Sequence, residues 1–181
     1  MSDGAGPRRG PAAAWALGLS GLLAGCGPVP DPSAGLSVEE SVALIDNVEA
    51  SELALEAVAE AFALGTRATD VQREHLESEL VGRRVEWDIP VYEVSLSGGR
   101  YEVTSQPIPI QDPEAAALIR VVAVAVPRND ADDALLQAVK TDDVIRVRGI
   151  VQEIRLRTIV AIVPAVLDTA VERHTSVGIE R

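Results

Sequence analysis

Between Val85 and Val163 the chain carries five runs of strand-like patterning, and one amphipathic helical run falls among them, between the third and the fourth. No other feature narrows the fold as far, because element order restricts the topologies in which short connections can close a sheet. Val85, Trp87, Ile89 and Val91 alternate onto one face; the phase slips at Pro90-Val91 and resumes through Tyr92, Val94 and Leu96, as in a long bulged strand. Ser97-Gly98-Gly99 reads as a hairpin turn into a second strand with Tyr101, Val103 and Ser105. Pro107 to Pro113 connects it to an almost continuously apolar third strand, Leu118 to Val126. Asn129 or Asp130 caps a short helix with Ala134, Leu135, Ala138 and Val139 on one side, and Thr141-Asp142-Asp143 turns the chain back. Val144 to Ile154 forms the fourth strand, with Gly149 at a bulge or close contact, and Thr158 to Val163 the fifth, which Pro164 is expected to stop.

The order β-β-β-α-β-β is that of the OB-fold, so the predicted class is α+β and mainly β: a five-stranded Greek-key barrel over 81–168, preceded by an acidic helix. Two stretches carry a family resemblance, Leu80-Val81-Gly82-Arg83-Arg84-Val85-Glu86-Trp87 and Thr141-Asp142-Asp143-Val144-Ile145-Arg146-Val147-Arg148-Gly149-Ile150. They resemble the "L-x-G-K-x-V" opening and the "G-D-x-V-x-V-x-G" fourth strand of bacterial tRNA-anticodon-binding-like OB domains, with Asp142 where that family usually has Gly. The resemblance spans about residues 76 to 167 and implies a barrel without specifying a ligand.

Upstream, residues 37–80 read as helical. Ser37 and Glu40 form a capping box ahead of Val38, Val42, Ile45, Val48, Leu55, Val58 and Phe62, which predicts a helix over 37–64, with Asn47 to Ser51 as a possible break. Thr69 and Gln72 repeat the box for a second helix, about Asp70 to Leu80, closed by Gly82. No Lys or Arg occurs between Gly10 and Thr66, and Glu49, Glu52, Glu56 and Glu60 recur at helical spacing. Their repulsion costs an isolated helix about a few tenths of a kcal/mol per pair. Solvation of the stripe is the ordinary expectation; docking against arginines of the fourth and fifth strands, or attraction of a basic partner, are the alternatives.

Residues 1–25 have the grammar of an export signal. Arg8 and Arg9 precede an apolar run from Ala12 to Ala24, and the run up to Cys26 is shorter than the roughly 20 residues a spanning helix needs. Leu23-Ala24-Gly25-Cys26 resembles the lipobox of bacterial lipoproteins, which implies lipid attachment at Cys26, the chain's only thiol, and a membrane as partner. Gly27 in place of Asp then favours the periplasmic face of the outer membrane in a Gram-negative cell. Residues 26–36 read as a Pro/Gly-rich tether, and 169–181 as a flexible tail.

Sixteen Lys and Arg stand against 28 Asp and Glu, for a formal charge of −12, which disfavours nucleic acid because polyphosphate binding is built on clustered cations. One Cys, two His and 3% aromatics leave no material for a disulfide framework, a zinc cluster or haem, so the expectation is no cofactor, no metal and no enzyme. His75, among Glu74, Glu77 and Glu79, reads as a surface histidine. The candidate ligand residues are Arg146, Arg148, Arg155 and Arg157, whose i, i+2 spacing on consecutive strands can bring them together across the hairpin. Pairing with Glu86, Asp88, Glu93 and Glu153 is the plainer alternative. Fold analogy adds Arg100, Tyr101 and Arg120, on the face where OB domains bind oligonucleotides and oligosaccharides. The expected protein is a lipid-anchored cell-envelope component with a non-catalytic OB module for protein or glycan; an oligonucleotide-binding domain is the alternative.

Overall fold

Five strands close a barrel in the order β1-β2-β3-β5-β4: β1 (Arg84–Ser97), β2 (Arg100–Ser105), β3 (Arg120–Ala125), β4 (Val144–Arg155) and β5 (Ile159–Leu167). The computed structural model describes residues 33–112, 114–155 and 159–168; the expected signal segment 1–25, Cys26, Arg157 and the expected tail 169–181 lie outside them. Neighbouring strands are antiparallel except β3 and β5, which run parallel. That order, with helix α4 (Asp130–Ala138) between β3 and β4, is an OB-fold. The first strand is long because it serves two neighbours: Arg84 to Pro90 pair with β4, and Val91 to Ser97 pair with β2 across a bulge at Val91/Glu93. The phase slip in the sequence is this bulge. Gly98 and Gly99 turn the hairpin with φ of +59° and +80°, left-handed values that side chains resist.

Three helices precede the barrel: α1 (Val38–Asn47), α2 (Leu55–Phe62) and α3 (Asp70–Leu80). Capping boxes open α1, at Ser37 and Glu40, and α3, at Thr69 and Gln72, while Asn129 caps α4 by accepting from the Ala131 and Asp132 amides. The helical run read over 37–64 is split in two, at the Asn47 to Ser51 break that the sequence suggested, and the reason is a competing partner for the backbone. Glu49 C=O accepts from Arg84 N–H at 3.0 Å and Ser51 N–H donates to Arg84 C=O at 2.8 Å, so this stretch becomes an edge beside the start of β1. The Trp87 indole N–H then donates to Leu53 C=O at 2.9 Å.

Helix α2 packs at one end of the barrel. Leu55, Val58, Ala59 and Phe62 join the same buried cluster as Val85, Trp87, Ile119 and Val160 from the strands. The opposite end, where β3 finishes and β4 begins, is closed by α4 through Leu136. Helix α1 lies outside the barrel on β4 and β5, where Ile45 meets Ile150 and Val166.

Two further expectations change. The fifth strand runs through Pro164 to Leu167, because both neighbours slip register there, at Ala123/Ala125 and at Gly149/Val151, and a bulge does not require the N–H that proline lacks. The tether is structured at its end: Ser33 is fully buried in a turn and receives two bonds from the Arg100 guanidinium, at 3.1 and 2.8 Å.

Candidate interaction face

The register that closes the barrel also decides where its cations go. Asp88 stands opposite Arg146 on adjacent strands, and the guanidinium forms a fork with both carboxylate oxygens at 2.7 Å. Those bonds hold the Asp88 carboxyl below its ordinary value of 3.8, against a weaker opposing push from burial. Arg148 is on the same face but turns to Asp46 of α1, and its Nε lies 3.2 Å from Asp168. Arg155, at the other end of β4 beyond the register slips, pairs with Glu153. The four arginines are therefore not gathered: two sit on the β1/β4 seam among carboxylates, one is distant, and Arg157 is outside the described residues. Part of the acidic segment does dock, Asp46 on Arg148 of β4 and Glu49 on Arg83 just ahead of β1, whereas Glu52 and Glu56 are exposed.

The residues expected by analogy also separate. Arg100 is engaged by Ser33. Tyr101 points into the barrel, 7% exposed, and its hydroxyl donates to Asp133 at 2.6 Å while accepting from Gln137 at 3.2 Å. The bond to Asp133 pushes the phenol above its ordinary value of 10.0. Arg120 faces outward with its guanidinium 5.4 Å from the centre of the Tyr92 ring, a cation–π contact. The sequence reading grouped Tyr92 with Val94 and Leu96 and did not count it among the candidate ligand residues; the bulge between Val91 and Glu93 is what turns it outward.

What the outward face of β2, β3 and β5 does present is a groove of about 390 Å³. Its floor is Val122, Val124, Ala161 and Val163; Glu102, Gln152, Glu153 and Arg155 rim it. Register places these side by side: Glu102 opposite Val124, Val122 opposite Ala161, Ala161 opposite Glu153. The third strand reads as buried on both faces, yet its outward valines are only half-buried, since α1 covers β4 and β5 and no helix packs extensively on β2 or β3 among the described residues. A groove of this kind can take apolar side chains and offers an anion little, since its one cation, Arg155, is paired with Glu153; it carries no nucleophile beside a base.

Below α4, Arg128 ties three elements together by donating to Asp132 at 2.8 Å and to the Leu167 carbonyl, with Asp168 at 3.8 Å. The Arg128 bonds pull the Asp132 carboxyl below 3.8. His75 lies 3.3 Å from Glu79 on exposed α3, and no three potential metal ligands gather among the described residues.

No protein-family model and no curated protein matches the chain. Among solved structures it is similar to a Klebsiella pneumoniae lipoprotein provisionally named as nucleic acid-binding: 17% identity over 52% of this chain and 77% of that one, TM-score 0.35. It is also similar to the Schizosaccharomyces pombe (S. pombe) Stn1-Ten1 complex, at 13% identity over 49% of this chain, with a TM-score of 0.28. The match spans 56% of that second chain's length.

Proposed function

We propose that the chain is a lipid-anchored protein of the cell envelope whose OB-fold barrel is a non-catalytic interaction module for a protein partner. The lipobox-like tetrad ending at Cys26, behind an export-type segment, supports the anchoring. One observation carries the choice of ligand: the outward groove has an apolar valine floor inside a rim where Glu102 and Glu153 outnumber Arg155, on a molecule of net charge −12. Polyphosphate binding depends on cations that can release counterions, whereas Arg146, Arg148 and Arg155 already face carboxylates. Among the described residues no aromatic ring lines this groove, so the stacking platform that sugars and unpaired bases use is lacking there. The partner best suited is a polypeptide offering apolar side chains flanked by Lys or Arg to meet Glu102 and Glu153.

The test is a photo-crosslinking residue at position 124 in intact cells, with one at position 52 as control. A protein adduct at 124 that is absent at 52, and lost with Val122→Glu, is expected. Cys26→Ala should release the chain from membranes. Single-stranded oligonucleotide binding that weakens with salt and with Arg120→Glu, in place of such an adduct, would replace this reading with the oligonucleotide one.

A further inference from the structure

A second groove, of about 480 Å³, lies between the β1–β2 hairpin and α4, apart from the face just described. Beyond Pro90 the first strand has parted from β4 and pairs with β2 alone. The two-residue Gly98-Gly99 turn makes Ser97/Arg100 a hydrogen-bonded pair, so by alternation Ser95/Glu102 and Glu93/Thr104 are hydrogen-bonded and Val94/Val103 and Leu96/Tyr101 are not. The parity is independently marked at the bulge, where Val91 bonds Asp142 and Asp143, and Tyr92 C=O accepts from Thr141, all on the side away from β2. The N–H and C=O groups of Val94 and Leu96 therefore face the groove, two residues apart. Among the described residues no backbone pairs with that edge. The wall opposite is mixed, with Leu136 and Val139 as its apolar part beside Gln137, Lys140 and Thr141, and Leu96 is 64% exposed across from it.

We propose that this groove binds an extended segment of another protein as an added strand on the free edge of β1. Alternating donors and acceptors at two-residue spacing are matched by another polypeptide backbone, which is the logic of strand addition at sheet edges. The residues opposite Val94 and Leu96 share their face, so positions i and i+2 of the incoming strand enter the groove and are selected to be apolar. Lys140, the only lysine in the chain, stands at the rim; its backbone N–H donates to Asp143 and Glu93 also lines the groove, but its ammonium forms no ion pair among the described residues, and it selects an acidic residue beside the apolar pair. A second copy fits less well: antiparallel pairing of two such edges would place Leu96 and Val94 of one against Val94 and Leu96 of the other, leave both lysines unmatched, and bring together two molecules of charge −12.

A displayed library of eight-residue peptides, screened against the full chain, supplies the probe. Enriched peptides are expected to carry apolar residues at i and i+2 with Asp or Glu adjacent. A synthetic version should lose more than tenfold in affinity when N-methylated at those two residues, and equally with Leu96→Glu, an exposed position that leaves the core intact. Val124→Glu, on the other face, should leave the affinity unchanged, which separates this inference from the function proposed above. No enrichment, or binding indifferent to N-methylation, overturns it. So does a dimer that Leu96→Glu dissociates, which would assign the edge to a second copy, or peptide binding seen only after deletion of 169–181, which would assign it to the chain's own tail.

Discussion

Gly149→Ala probes the closest backbone approach in the barrel. A Cβ at this position would lie 2.4 Å from the Pro164 carbonyl oxygen, 2.5 Å from Ile162 Cγ2 and 3.0 Å from Ala165 Cα. Ordinary carbon contacts sit at roughly 3.5–4.0 Å, so the methyl group is about 1 Å too close to two atoms. Little can yield, since Gly149 is paired with Val85 on one side and Ala165 on the other, and the nearest obstacle is the main chain of the Pro164 bulge. Inserting a methyl group into packed structure costs about 1–3 kcal/mol, and a backbone obstacle places this case near the upper end. Alanine recovers about 0.4–1 kcal/mol by restricting the unfolded chain, leaving a net loss of about 2 kcal/mol. With a urea dependence of about 1–3 kcal/mol per molar, the unfolding midpoint should fall by about 1 M at unchanged slope. The assay is equilibrium urea unfolding followed by far-UV circular dichroism. A midpoint within about 0.2 M of the parent would mean that β4 and β5 are not in contact here, and the packing argument for this glycine would be refuted.

Ser41→Ala should stabilise, by about 1 kcal/mol: its hydroxyl is buried on the inner side of α1 with no hydrogen-bond partner among the described residues, and alanine removes that penalty while favouring the helix. An unchanged or lowered melting temperature would show that the hydroxyl is satisfied. Asp88 and Asp132 are both more acidic in the folded chain than their ordinary 3.8, so the stability they contribute is present above that pH and is lost as pH falls through their depressed folded values. Melting temperature should therefore hold down to about pH 5 and then drop, with Asp132→Asn flattening the acid limb more than Asp88→Asn, because Asp88 is half exposed and screened by water. Glu52→Lys with Glu56→Lys should move stability by less than about 0.5 kcal/mol, both side chains being solvated; a loss several times larger would mean the stripe is docked.

The strands were legible because their side chains obey a period of two, and the bulge announced itself as a slip in that period. The turn at Gly98-Gly99 and both capping boxes were equally open to reading, since they depend on local chemistry within four residues. What escaped was decided by partners distant in sequence. A break at Asn47 to Ser51 was legible, but nothing local predicts its cause, that Arg84, over thirty residues on, takes the Glu49 and Ser51 backbone. The same holds for Pro164, a strand terminator by itself and a tolerated bulge once two neighbours slip around it. For the arginines, spacing and strand order already offered Glu86, Asp88 and Glu153 as partners, and Arg146 and Arg155 take them; what spacing did not reveal is Asp46 of α1 and Asp168 beyond β5 at Arg148. The outward valines of β3 were visible as residues, yet their exposure depends on where α1 lies, which spacing does not encode.

The placement of the helices, more than the inherited barrel, determines which surfaces remain for a partner. Helices α2 and α4 occupy the two ends of the barrel, and α1 brings Asp46 onto β4, so the cations most suited to polyphosphate are those the chain spends on its own carboxylates. Among the described residues, two of the surfaces left open are an apolar face rimmed by Glu102, Glu153 and Arg155 and a strand edge at Val94 and Leu96. An anionic polymer approaching either one meets a molecule of charge −12 and gains few counterions in return. A polypeptide loses nothing to that field if it carries basic residues for the first surface, and it can satisfy the backbone groups of the second, so both surfaces favour the same class of partner for different physical reasons.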